Sequence, residues 1–266
     1  MIIHNFDPIF IDLGFFQIRW YSIAYITGII LGWWYGIYII KKISKNYNYR
    51  SIKPEHFDDL IIYLIFGIIL GGRLGYVIFY NIEYYSQNYL EIFKLWSGGM
   101  SFHGGLIGVI ISTFIYAKIN KTSFFNLTDI ISCVAPIGIF LGRISNFING
   151  ELYGKASNLP WSVVFPDGGN IPRHPSQIYE AILEGIVLFI LINFFAFKKR
   201  KIFKTGYISS FFLIFYSILR IISEYFREPD QHLGYFFKYF SEGALLSIFT
   251  LLAGCFLILF IKKNEK

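Results

Sequence analysis

Charge is scarce in this chain. Only 15% of its 266 residues are Asp, Glu, Lys or Arg, against about 25% in an ordinary soluble domain, while 55% are hydrophobic. That balance excludes a soluble globular protein and predicts one integral-membrane domain over residues 1–266, with no soluble module attached. Cysteine is almost absent. Cys133 and Cys255 stand in separate apolar stretches, which excludes a disulfide framework and a thiolate metal site; both read as packing residues. No His/Cys cluster suits zinc, no Asp-rich motif suits Mg²⁺, and no G-x-S-x-G turn offers a nucleophile. Neither a metal nor a cofactor is expected. Met1–His4 carry no Lys or Arg, and the first apolar run is long and lacks a small-residue exit, so no cleavable signal peptide is expected. A net charge of +7 would raise nucleic acid as a partner of a soluble protein. Here the basic residues sit in short runs between apolar stretches, which fits orientation signals instead.

What is present is a series of long apolar runs. They predict an all-α polytopic membrane protein with seven transmembrane helices near 17–40, 60–80, 101–118, 130–149, 178–197, 207–227 and 241–261. Each is close to the roughly 20 residues that cross a hydrocarbon core. Basic residues mark alternate connections: Lys41, Lys42, Lys45, Arg50 and Lys53, then Lys118 and Lys121, then Lys198, Lys199, Arg200, Lys201 and Lys204, then Lys262, Lys263 and Lys266. Positive charge stays inside, so the N-terminus is expected outside and the C-terminus in the cytoplasm. The outer connections are 81–100, 150–177 and 228–240. The middle one holds Pro160, Pro166, Gly168, Gly169, Pro172 and Pro175 and reads as a periplasmic cap or a tether. Gly28, Gly32 and Gly36, and again Gly67, Gly71 and Gly75, recur every fourth residue. That spacing puts each set on one helix face and predicts close helix packing.

The costly residues share one depth. Arg73, Arg143 and Arg220 each lie about 13 residues into a span entering from the cytoplasm, and about 1.5 Å per residue carries them about 20 Å into a core about 30 Å thick. The opposed spans agree: Tyr21, His103, Glu180 and Glu184 lie near the outer starts of theirs. Six spans thus aim polar groups at the outer leaflet's headgroup layer. The run GRISNFINGELYG, Gly142–Gly154, adds Asn146, Asn149 and Glu151 to Arg143. Arg220, Glu224 and Arg227 share a helix face at i, i+4 and i+7, so Glu224 can pair with either arginine. Plainer readings stand beside these: Arg73 snorkels outward, Arg227 makes a structural ion pair, and Glu180 and Glu184 only orient the arginines. Arg143 and Arg220 are deep enough for a functional role to be expected of them.

Guanidinium groups at headgroup depth suit phosphate, because their planar fork matches its oxygens. The residues alone therefore point to metal-free handling of an anionic lipid, with the nucleophile supplied by a second substrate. A transporter would instead want inverted repeats and broken helices at the midplane; the halves show no repeat and the polar layer is off-centre. A lipid-binding scaffold without chemistry stays open at this point.

GRISNFINGELYG also resembles the signature of the bacterial prolipoprotein diacylglyceryl transferases. GGRLGYVIFYN (Gly71–Asn81), GGMSFHGGLIG (Gly98–Gly108), RHPSQIYEAILEG (Arg173–Gly185) and RIISEYFREPD (Arg220–Asp230) read as further blocks of that family, in order, from Trp20–Tyr21 to the seventh span. The resemblance implies a seven-helix inner-membrane enzyme, open sideways to lipid. It would move the diacylglyceryl group of phosphatidylglycerol onto the lipobox cysteine of a prolipoprotein signal peptide. It implies His103, Arg143 and Arg220 as catalytic residues. Tyr21, Arg73, Asn146, Glu151 and Gly154 would line the phosphatidylglycerol site with Arg143, and Asn149, Glu180, Glu224 and Arg227 would support it. One position departs: Ala244 stands where the family usually has glutamine, which leaves a headgroup contact from the seventh span unsupported.

Overall fold

The computed structural model describes residues 2–15, 17–46, 52–95, 98–228 and 241–264, without the side chains of Lys45, Asn46, Phe102, His103 and Glu242. It is mostly helical. In order come α1 (Trp20–Asn46), α2 (Pro54–Tyr80), α3 (Phe102–Ile119), α4 (Phe124–Ile148), α5 (Ser176–Lys198), α6 (Tyr207–Glu224) and α7 (Glu242–Asn264). Among the described residues six of these are long and apolar enough to cross a membrane, and the apolar part of α3, Gly104–Ile119, is shorter. The chain is therefore a multi-pass membrane protein. It is not purely helical: β1 (Ile2–Ile3) pairs in parallel with β4 (Val163–Val164), and β2 (Ile9–Asp12) pairs antiparallel with β3 (Gln17–Arg19). Residues 17–19, expected at the start of the first span, form β3 instead. There Gln17 and Arg19 flank Ile18, and the Asp12 carboxylate accepts from Gly14 N at 2.8 Å and Gln17 Nε2 at 3.0 Å, closing a hairpin before α1 begins.

The chain divides into two compact units, Met1–Gly36 with Asp129–Lys266, and Ile37–Thr128. In the second unit the glycine stripe of α2 lies against Gly104 and Gly108 of α3. A Cβ on Gly71 would sit 2.3 Å from Gly104 O, and one on Gly67 2.6 Å from Gly108 O. The backbones touch, which no larger residue permits. The fourfold spacing seen in the sequence is thus a packing face.

In the first unit α6 is fixed at its start by Asp129 of α4. That fully buried carboxylate accepts from Gly206 N, Ser209 N and Ser209 Oγ, each at 2.8 Å, and so satisfies N–H groups that a helix start leaves open. α5 carries two π-helical stretches, Ala181–Val187 and Phe194–Lys198, a widened turn often found at functional sites. The 150–177 connection is folded and tied down. Val163 N donates to Arg173 O at 3.0 Å, Lys155 N to Phe226 O at 2.9 Å, and His4 N to Val164 O at 2.9 Å. Arg173 ties the connection together from its middle, reaching Gly168 O at 2.8 Å, Gly154 O at 3.2 Å and Glu228 Oε2 at 3.2 Å.

Candidate active site

The C-terminal ends of α4 and α6 and the N-terminal end of α5 bring three arginines and three glutamates into one cluster. Glu180 and Glu184 are one helical turn apart on α5 and fully buried. Arg143 of α4 holds both, Nη1 to Glu180 Oε2 at 2.8 Å and Nη2 to Glu184 Oε2 at 3.0 Å. Arg220 of α6 takes the other oxygen of each, at 3.1 Å and 3.5 Å, and reaches Glu224 Oε2 at 2.5 Å. Arg227 Nη1 lies 3.6 Å from Glu180 Oε1. The two α5 carboxylates are therefore a double bridge that holds two guanidiniums together. Burying an unpaired carboxylate would cost several kcal/mol; here the charges balance three to three.

A second group adjoins it on the GRISNFINGELYG segment. Asn146 Nδ2 donates to Tyr21 OH at 2.9 Å and to Glu151 Oε1 at 2.7 Å. Asn146 is buried and Glu151 exposed, so the amide links a buried helix face to an open carboxylate. Glu151 is set by the backbone at the helix exit: its N–H donates to Asn146 O at 3.1 Å, and its carbonyl accepts from Gln177 Nε2 at 2.6 Å. Asn149 continues the helix through Ser145 O at 2.9 Å, and its buried Oδ1 has no hydrogen-bond partner among the described residues. Gly154 is where three backbones meet. Its N–H donates to His174 O at 2.9 Å, it bridges to Arg227, and a Cβ there would lie 2.5 Å from Phe226 O.

Of the residues singled out in the sequence, Tyr21, Arg143, Asn146, Asn149, Glu151, Gly154, Glu180, Glu184, Arg220, Glu224 and Arg227 all fall in the first unit. Glu224 pairs with Arg220, while Arg227 turns to Glu180. Arg73 and His103 belong to the second unit, and the His103 side chain lies outside the described residues. Arg73 donates to five backbone carbonyls of the second unit. Sequence reasoning missed three partners. Ser223 Oγ donates to Glu184 Oε1 at 2.8 Å, Ser241 Oγ to Glu224 Oε1 at 2.7 Å, and Gln177 holds Glu151. Ser223 sits three residues after Arg220, a spacing that could have flagged it. Gly243 packs against the cluster too, where a Cβ would lie 3.0 Å from Arg220 Nη2.

Helices of membrane-crossing length around a buried, charge-balanced arginine–glutamate cluster define a multi-pass membrane protein with a charged site among its helices. Comparison with known proteins narrows the class. The family model for prolipoprotein diacylglyceryl transferase matches residues 8–260. The chain is 48% identical over 258 residues to the phosphatidylglycerol–prolipoprotein diacylglyceryl transferase of Rickettsia typhi, covering 97% of this chain and 98% of that one. The protein of the same name from Rickettsia bellii OSU 85-389 is 48% identical over 97% of each chain. That of Methylocella silvestris is 44% identical over 97% of this chain and 95% of its own. The chain belongs to the prolipoprotein diacylglyceryl transferase family.

Proposed function

We propose that this protein transfers the diacylglyceryl group of phosphatidylglycerol to the cysteine thiol of a prolipoprotein lipobox, the first step of lipoprotein maturation. Sulfur forms a thioether to the glyceryl carbon, the bond from that carbon to the phosphate oxygen breaks, and glycerol phosphate departs. The thiol's proton must leave, because the thiolate is the reactive form and a free thiol has a pKa of about 8.5. The leaving group carries negative charge that needs fixed donors around it.

The observation that carries the reading is the double bridge. Glu180 and Glu184 hold Arg143 and Arg220 side by side with N–H bonds to spare, since a guanidinium has five and Arg143 spends two on the carboxylates. Preorganised in this way, the pair stabilises a departing phosphate without reorganising when it forms. In this reading Tyr21, Asn146 and Glu151 bind the headgroup, Gly154 lets the backbone of the connection pass close to it, and Asn149, Glu224 and Arg227 support the arginines. His103 serves as base or thiolate stabiliser. No protein nucleophile is needed. The site works at the outer leaflet of the bacterial inner membrane, in a seven-span protein with its N-terminus outside and the 150–177 connection as a periplasmic cap.

The test is product formation by purified protein from phosphatidylglycerol and a lipobox peptide, read by mass spectrometry. Arg143→Ala and Arg220→Ala each lower turnover by about 10²–10³-fold, with membrane insertion intact, and His103→Gln lowers it by about 10²-fold or more. Wild-type turnover in either arginine variant removes the phosphate clamp, and near-full activity of His103→Gln removes the base. Lipid flux into liposomes without product would favour a transporter.

A further inference from the structure

We infer that Arg73 is a positioning residue that builds the entry to α3, the helix carrying His103, and makes no contact with lipid phosphate. The link to catalysis rests on the transferase reading above; the structural role does not. Arg73 is 3% exposed and sits in the C-terminal part of α2. Its Nε donates to Ile92 O at 2.8 Å, its Nη1 to Gly98 O and to Gly99 O at 3.2 Å, and its Nη2 to Glu91 O at 2.7 Å and Lys94 O at 3.1 Å. A guanidinium has five N–H bonds, and five backbone carbonyls take them. Among the described residues no carboxylate pairs with it. The nearby Glu91 side chain is held by Lys94 at 2.5 Å, and the Tyr85 ring lies 5.2 Å from the guanidinium carbon. Carbonyl dipoles and a ring face thus replace a counter-ion.

The acceptors belong to one stretch, 91–99, and that stretch delivers the chain to α3. Just beyond it Ser101 N donates to Gly72 O at 2.8 Å, and Ser101 Oγ caps α3 by accepting from Gly104 N at 3.1 Å. Gly99 lies so close to Tyr76 that a Cβ would come within 2.5 Å of its ring. Consecutive residues of α2 therefore hold the loop and the first turn of α3, with Arg73 as the only side chain whose planar fork can gather five carbonyls at once. A lysine in its place has three N–H donors on one nitrogen and cannot span them. To bind phosphate, Arg73 would have to release backbone carbonyls that now take all five of its N–H bonds.

The experiment compares wild-type and Arg73→Lys protein in lipid nanodiscs by hydrogen exchange and by steady-state kinetics. The expected result is faster amide exchange confined to about residues 89–104. It comes with a fall in kcat of tenfold or more, because an error of about 1 Å in placing a group can cost about 10² in rate, and with a KM for phosphatidylglycerol within about twofold of wild type. A phosphate ligand would instead raise that KM steeply and leave exchange at 89–104 unchanged; either result overturns the inference. So does failure of Arg73→Lys to fold, since the damage is confined to one loop. Wild-type protein without transferase activity would sink the function proposed above and leave the exchange result to decide the role of Arg73.

Discussion

Glu180 is the residue on which the charge cluster turns. Its carboxylate meets Arg143, Arg220 and Arg227 at 2.8, 3.1 and 3.6 Å while fully buried. Removing it leaves three guanidiniums sharing two carboxylates in a site with little water. Breaking one side of a buried pair costs about 3–5 kcal/mol, so Glu180→Ala is expected to lose that much in reversible SDS unfolding and to lose activity with it. Glu228 supplies the contrast. It pairs with Arg173 at 3.2 Å but is 42% exposed, and such pairs contribute about 0–1 kcal/mol, so Glu228→Ala is expected to change stability by less than that. Similar losses in the two variants would mean the cluster is not a buried network. At this scale the sequence was partly legible. Arg143, Asn146 and Glu151 stand within nine residues, and a charge in an apolar run announces itself. The pairing scheme was not legible, because which glutamate meets which arginine depends on the rotation of α5. A π-helical stretch from Ala181 to Val187 resets that rotation, and no spacing rule for an ordinary helix anticipates it.

Among the described residues, six helices of membrane-crossing length and the shorter α3 appear near the positions that apolar runs predicted, because greasy length is a direct physical requirement of a bilayer. Strands β1 and β4 were missed because Ile2–Ile3 and Val163–Val164 lie far apart in the chain and their pairing has no local signature. The 150–177 connection was visible only as a Pro- and Gly-rich stretch, yet its folding has a testable consequence. His174 Nδ1 lies 3.2 Å from Tyr179 OH, and Tyr179 OH accepts from Trp161 Nε1 at 2.7 Å. The phenol thus links the indole of Trp161 to the imidazole of His174. Burial, and then the charge of Lys155, holds the His174 pKa below its ordinary 6.5. The unfolded connection therefore binds more protons than the folded one just below that value. The packing is fully stable above about pH 6.5 and weakens as pH falls from there through the depressed pKa. Tryptophan emission is expected to change reversibly as pH falls below about 6.5, and to be constant above it. The change should be absent in both His174→Gln and Trp161→Phe. Its survival in His174→Gln would assign it to another group.

At the scale of the molecule the number of crossings turns on α3. At about 1.5 Å per residue its 18 residues reach about 27 Å, close to a core about 30 Å thick, so length alone leaves the count between six and seven. Charge decides it. If α3 crosses, the basic runs at 41–53, 118–121, 198–204 and 262–266 share one side, as the positive-inside rule requires. If it turns back, every run after α3 moves to the side opposite Lys41 and Lys42, and the rule is broken by ten of the fifteen basic residues in these runs. Cysteine labelling in spheroplasts tests this. Asp12, Asn158 and Lys199 are exposed, and the native Cys255, also exposed, would be replaced by serine to remove background. With seven crossings, Asp12→Cys and Asn158→Cys react with a membrane-impermeant maleimide, and Lys199→Cys reacts only after permeabilisation. With α3 turned back, the parity changes after residue 119: Lys199→Cys would label from outside and Asn158→Cys would be protected. That outcome would place Arg143 and its partners on the cytoplasmic side, far from outer-leaflet phosphatidylglycerol, and would overturn the proposed site of action along with the count.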